Sequence, residues 1–270
     1  MDLIDTHCHI QSIGAPGDDF TVRKWREGGV KDPDVVIKDA HGAGVTRLIC
    51  VGTSLNDSQR AVDSVQERDN CYASVGIHPH EAKNYANPPD LMRQCRDWLG
   101  DKKVVAVGEV GLDCYYEHSP KKEQVKLLEY FLQLASEADL PVIFHVRDAY
   151  ADFWPVYDNF KNLRGVMHSF SATTKELEQA LERGLYVGLN GIMTFTRDQN
   201  QLAAAKAVPL DNMLLETDAP YLTPKPFRGK VCKPEHVKNV AEFLAELRNE
   251  ALDEVADHTT NNARKLFGIT

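Results

Sequence analysis

No two cysteines in this chain are spaced as C-x-x-C. The six that occur, Cys8, Cys50, Cys71, Cys95, Cys114 and Cys232, are scattered, which argues against a zinc ribbon or a disulfide framework and suits buried thiols in a reducing compartment. No apolar run approaches the roughly 20 residues of a membrane helix. Met1-Asp2 runs directly into an apolar stretch, with neither a basic region nor a signal core, so a soluble, cytoplasmic protein is expected. Positive charge is not in excess either: 31 Lys and Arg against 40 Asp and Glu give a formal net charge of −9. That argues against a broad basic face coating nucleic acid but leaves room for a compact phosphate site. Internal repeats, low-complexity tracts and linkers are also lacking, and one domain over 1–270 is expected.

What the chain does have is an alternation of short apolar runs with longer amphipathic ones. Strands are predicted over 3–9, 45–52, 71–78, 103–110, 141–146, 165–170, 185–190 and 212–218. In the stretch 120–138, Leu127, Leu128, Phe131, Leu134, Ala135 and Ala138 share one helical face, with Ser119 as the expected N-cap and Pro120 at the first helical position. Thr173-Thr174-Lys175-Glu176 fits a capping box. Two further helical patterns, near 234–248 and 251–267, close the chain. Eight strands alternating with helices over about 250 residues predict a (β/α)8 TIM barrel of the α/β class. The competing doubly wound sheet lacks its G-x-G-x-x-G after the first strand. Residues 14–33 exceed an ordinary connection and are expected to form a long surface loop, with a lid as the alternative.

In a barrel the chemistry gathers at the C-terminal ends of the strands. Those ends carry His7 and His9, His78, Glu109, His145, His168 and Asp218. Alternation puts His7 and His9 on one face of their strand, with Asp5 a layer deeper and Thr6 and Cys8 opposite. Seven residues of ligand type at strand ends, several on otherwise apolar strands, predict a metal centre. Four histidines and two carboxylates exceed what one open tetrahedral ion needs; two ions about 3.5–4 Å apart, bridged by a carboxylate, would use them all. Imidazole-rich ligation suits Zn, Mn, Ni or Fe better than Mg, which stays open as a third choice beside Zn and Mn.

DTHCHI (5–10), GIHPH (76–80), GEVGLDCYY (108–116), HVRDA (145–149), HSFSAT (168–173), ETDAPYLTP (216–224) and RGKVCKPEHV (228–237) together resemble the ordered motifs of TatD-type metal-dependent hydrolases, from residue 3 to about 267. The resemblance implies a TIM barrel of the amidohydrolase superfamily and a two-metal hydrolase, commonly a deoxyribonuclease. It implies His7, His9 and Asp218 on a first ion, His145 and His168 on a second, and Glu109 between them. Two positions depart from the family pattern. Cys114 stands where a tyrosine is usual, and Cys232 where an asparagine is common in the basic loop.

Two such ions bring the pKa of a shared water towards about 7 and neutralise charge on a phosphodiester. Asp218 is the expected proton acceptor. His78, Arg147, Arg228 and Lys230 are the expected phosphate donors, while His80 is assigned to its turn and Glu216 to a deeper hydrogen-bonding role. Arg147, two residues beyond His145, is expected to face inward and to meet a carboxylate or a substrate anion. The leading expectation is hydrolysis of nucleic-acid phosphodiesters, exonucleolytic from the three-prime end of single-stranded DNA, with RNA also possible and no obligate protein partner. The alternatives are removal of a D-amino acid from tRNA at the same site and, from another class, a non-catalytic nucleic-acid-binding protein. The last would predict an eroded ligand, and none is missing. Phosphotriesterase-type relatives fit less well, because they bridge their metals with a modified lysine where Glu109 stands.

Overall fold

A computed structural model describes residues 1–85, 89–116 and 118–269. It contains β1 (Leu3–Cys8), α1 (Phe20–Glu27), α2 (Pro33–Gly42), β2 (Val45–Val51), α3 (Leu55–Val65), β3 (Cys71–Val75), α4 (Pro89–Trp98), β4 (Val104–Asp113) and α5 (Lys121–Ala138). There follow β5 (Val142–Arg147), α6 (Tyr150–Tyr157), β6 (Gly165–Met167), α7 (Thr174–Glu182), β7 (Tyr186–Leu189), α8 (Gln199–Ala207), β8 (Met213–Leu215), α9 (Val237–Arg248) and α10 (Leu252–Phe267). All eight strands belong to one sheet in chain order, and Cys8 bridges in parallel to Ala219, just beyond β8. That is the strand order of the (β/α)8 barrel class expected from the alternation. β1, β4 and β6 are buried along their whole length, as strands covered on both faces must be.

Contacts divide the chain into two compact units: Met1–Cys50 with Ser169–Thr270, and Val51–His168. In the first, Leu3 pairs with Val45 and Cys8 with Cys50, while Val187 pairs with Met213 and Leu189 with Leu215. Its last helix holds the starts of the strands. The Thr260 hydroxyl donates to the Asp2 carbonyl at 2.7 Å, and the Asn262 amide donates to the Leu210 and Met213 carbonyls at 2.6 and 2.9 Å.

In the second unit, β3, β4, β5 and β6 pair in parallel, with Gly111 beside His145 and Asp113 beside Arg147. Leu127, Leu128, Phe131, Leu134 and Ala135 of α5 are buried as their spacing predicts, each large side chain contributing about 1.5–3 kcal/mol. Ala138, the last residue of the helix, is exposed. The helix opens differently from expectation. Pro120 is the N-cap, and the Ser119 hydroxyl instead donates to the His80 carbonyl at 2.6 Å and accepts from the Lys83 N–H. The Thr173–Glu176 capping box forms as predicted.

The segment 14–33 is not simply loop. Asp19 caps α1 by accepting from the Val22 N–H at 2.9 Å. Val22 and Trp25, three apart on one face, are buried. Among the described residues, no helix is long and apolar enough to cross a membrane.

Candidate metal centre

In the first unit, β1 sends Thr6 and Cys8 to one side, where they donate to the Leu215 and Ile49 carbonyls. His7 is thereby turned to the opposite face, fully buried. His9 follows immediately after the strand, and its N–H donates to the Ala219 carbonyl at 2.8 Å. Asp218 lies three residues beyond β8, with φ of +59°. This left-handed bend is unusual for a residue with a side chain, though aspartate tolerates it better than most. It sets the Asp218 carboxylate 3.8 Å from His7 Nε2 and 3.3 Å from His9 Nε2. One donor atom from each of His7, His9 and Asp218 falls within 4.8 Å of the other two.

Two buried carboxylates brace this arrangement. Asp5 accepts from the Thr217 N–H at 2.9 Å, the Thr217 hydroxyl at 2.6 Å and the His7 N–H at 3.3 Å. It therefore ties the strand bearing His7 to the segment bearing Asp218. Burial pushes the Asp5 carboxyl up to about 8, against the lowering effect of those hydrogen bonds. Glu216 accepts from the Ser169 N–H at 2.7 Å and the Asn190 amide at 3.2 Å. A Cβ on Gly188 would lie 2.4 Å from its Oε2, so any larger residue there would displace this carboxylate from its present position.

In the second unit, Glu109 is held from two sides. Its N–H donates to the Gly52 carbonyl at 2.9 Å, and the Ser74 hydroxyl donates to the Gly108 carbonyl at 2.7 Å. Gly76 packs so closely that a Cβ there would be 2.4 Å from the Gly108 carbonyl carbon, which cannot give way. Glu109 Oε1 lies 2.7 Å from His145 Nδ1, 3.6 Å from His78 Nε2 and 3.8 Å from His168 Nε2. His78, Glu109 and His145 again offer three donor atoms within 4.8 Å.

A second carboxylate stands behind these residues. Asp113 Oδ2 is 3.0 Å from His145 Nε2 and 2.9 Å from His80 Nε2, and its Oδ1 accepts from the Tyr115 and Tyr116 N–H groups, both at 2.9 Å. Burial works against the Asp113 anion, but the hydrogen bonds from His145 and His80 outweigh it and hold the carboxyl well below the ordinary range. Burial likewise opposes charge on His145, and here the bonds to Asp113 and Glu109 prevail, raising its pKa. His78 moves the other way: burial, then the neighbouring His145, lower it. Its Nδ1 accepts from the His80 N–H at 3.1 Å, so the neutral ring carries its proton on Nε2.

Profile comparison decides the relationship. The TatD related DNase family matches residues 4–268. The chain belongs to the TatD family. It is 36% identical to the uncharacterized metal-dependent hydrolase YcfH of Escherichia coli (strain K12), covering 100% of this chain and 97% of that protein. It is 35% identical to the 3'-5' ssDNA/RNA exonuclease TatD of Citrobacter rodentium, covering 89% and 94%. The crystal structure of the TatD homologue YJJV from Escherichia coli K12 superposes with a TM-score of 0.85 at 29% identity, over 99% of this chain and 98% of that one. This TatD-family protein is thus a metal-dependent hydrolase on a TIM barrel. Its imidazole and carboxylate donors are of the kind that hold divalent ions.

Within this TatD-family chain, the structure brings together His7, His9 and Asp218 as the sequence predicts. It also adds His78, expected at substrate, to the group formed by Glu109 and His145. Arg147 is corrected. It is exposed rather than inward, and its guanidinium lies 4.1 Å from the Tyr115 ring centre and 4.7 Å from that of Tyr116. Two tyrosine faces therefore brace it where a carboxylate partner was the alternative to a substrate anion. Arg228 lies 3.7 Å above the Phe195 ring and donates one N–H to the Thr223 carbonyl at 2.8 Å. Lys230 is exposed, 5.8 Å from the Phe227 ring. Glu216 and His80 have the supporting contacts foreseen for them. Asp113 was missed, although it falls on the Glu109 face of β4 by simple alternation. Cys232 is buried behind Thr217 and Lys233, and burial raises its thiol far above the usual value.

Proposed function

We propose that this hydrolase cleaves phosphodiester bonds of nucleic acid, as an exonuclease working from the three-prime end of single-stranded DNA. The observation that carries the reading is the convergence of imidazoles on a carboxylate, once at His7, His9 and Asp218 and again where Glu109 Oε1 lies 2.7 Å from His145 Nδ1 and 3.8 Å from His168 Nε2. We assign His7, His9 and Asp218 to one divalent ion and His145 and His168 to another, with Glu109 shared. Zn, Mn or Mg would serve. Bound there, two divalent ions would lower the pKa of water towards neutral pH and would offset charge on a phosphodiester. The 35% identity to the 3'-5' ssDNA/RNA exonuclease TatD of Citrobacter rodentium supports the polarity and the single-stranded substrate.

The chain's own residues do the rest. Asp218, partly buried beside two imidazoles, orients the nucleophile and accepts its proton. Arg228, flattened on Phe195 with one N–H already anchored, presents the remaining edge of its fork to phosphate. Lys230 adds a point charge on the same loop. Arg147, braced by Tyr115 and Tyr116, and His78, donating through Nε2, supply the other phosphate contacts. A chain with net charge −9 suits gripping a few nucleotides rather than coating a duplex.

The test is parallel incubation of metal-loaded protein with end-labelled single-stranded DNA and with D-aminoacyl-tRNA. Stepwise shortening of the DNA from its three-prime end, with the tRNA ester intact, is expected. Release of the amino acid with the DNA untouched would move the function to ester hydrolysis.

A further inference from the structure

Phe20 is the most exposed large apolar side chain among the described residues, at 63%. Its position is fixed from below. It is the first residue of α1, which Asp19 caps, and Trp25 on the same helix is fully buried with Nε1 donating to the His9 carbonyl at 2.9 Å. The Phe20 ring lies parallel to that of Tyr221, 6° between planes and 5.7 Å between centres. Tyr221 is held in turn: its hydroxyl is 2.7 Å from the Thr21 hydroxyl, and its N–H donates to the Asp218 carbonyl at 2.8 Å. Tyr221 then meets His9 edge-on at 6.2 Å. An aromatic path thus leads from open water to His9, and the Tyr221 backbone ties it to Asp218. The Arg23 guanidinium lies 6.0 Å from the Phe20 ring centre, and α1 carries three cations, Arg23, Lys24 and Arg26, against the single anion Glu27.

A rigid exposed ring with a cation beside it is the element by which proteins grip single strands: the ring stacks on a base, and the cation meets the backbone. Resting on the nuclease reading above, we infer that Phe20 is a substrate-positioning residue, stacking a base of the single strand whose end lies at His9 and Asp218. Stacking is indifferent to base identity, so the platform selects unpaired bases rather than a sequence. It also gives the segment between β1 and α2 a role that its length alone left open.

The test compares Phe20→Ala and Phe20→Trp with wild type, all full-length and metal-loaded, on oligothymidylate and on an oligonucleotide abasic along its three-prime segment. Phe20→Ala should raise KM on oligothymidylate by about 5- to 150-fold, the equivalent of one stacked base, with kcat little changed. Phe20→Trp should restore it, and the abasic strand should be cut equally by all three. An unchanged KM on oligothymidylate, or an equal loss on the abasic strand, overturns the inference. Absence of DNA hydrolysis by wild type would instead refute the nuclease reading. Binding of fluorescent oligothymidylate then decides: weakening by the same factor in Phe20→Ala sustains the platform, and equal or absent binding overturns it.

Discussion

Replacing Asp113 by Asn should weaken the metal held through His145 without disturbing the other ion. The carboxylate accepts at both oxygens, from His145 Nε2 and His80 Nε2 on one and from the Tyr115 and Tyr116 N–H groups on the other. An amide of the same shape has one oxygen to offer, and its NH2 must face the second pair of donors. Keeping the two backbone N–H groups satisfied turns the NH2 towards the imidazoles. His145 then loses the anion that fixes its ring. A hydrogen bond to a charged group is worth about 1.5–3 kcal/mol, and each 1.4 kcal/mol is tenfold. Affinity at that ion should fall roughly 10- to 100-fold, the usual effect of removing a ligand's hydrogen-bonding partner. Calorimetric titration of metal into the metal-free variant measures this directly, after a thermal melt confirms folding. Hydrolysis should fall at limiting metal and recover as metal is raised. Two binding constants indistinguishable from wild type would refute the positioning role of Asp113.

Asp218→Asn should keep the second ion and most of the first, yet lose about 10²–10⁴-fold in hydrolysis at saturating metal; restoration to near wild-type rate by excess metal would make the residue a ligand only. Gly188→Ala places a Cβ 2.4 Å from Glu216 Oε2 and should cost about 1–3 kcal/mol by overpacking, and an unchanged melting temperature would show that Glu216 can move aside. His236 stacks on Phe227 at 4.8 Å, accepts from the Lys233 N–H, and has its pKa lowered by burial. The folded state therefore resists a proton that the unfolded chain takes up below about 6.5, so stability should fall as pH drops through that value. Urea titrations at pH 7.5 and 5.5 should show the loss, reduced in His236→Asn; an equal loss in the variant would assign it to other groups.

The strands were legible because their period is dictated by burial on both faces, and each of the eight predicted runs overlaps one, although β4 and β5 run on past them to Asp113 and Arg147. Their ends were not. The strands reading into His9, His78, His168 and Asp218 stop at Cys8, Val75, Met167 and Leu215. The chain leaves the ladder exactly where ligand-type residues must turn inward, and Asp218 with its positive φ shows how. Apolar alternation carries no trace of that bend. The helix inside 14–33 was hidden by its eight-residue length and by the glycines and prolines around it, although Asp19 followed by Val22 and Trp25 is a capped pattern in miniature.

Within the candidate site, the residues that can bind an ion stood out in the sequence and the residues that hold them did not. A histidine on an apolar strand is conspicuous, whereas a buried aspartate such as Asp113 or a threonine such as Thr217 resembles any turn residue until its partners are known. Arg147 illustrates the same limit. Alternation from His145 placed it inward, but β5 runs out to solvent at its end, and the adjacent tyrosines supplied a binding face for the cation that pairing rules based on charge do not anticipate. Ser119 was displaced for a related reason. Its hydroxyl had two backbone partners near His80, and those long-range bonds outcompeted the local cap. In each case a local rule was overruled by a partner more than thirty residues away in sequence, and single-sequence patterns do not carry that information.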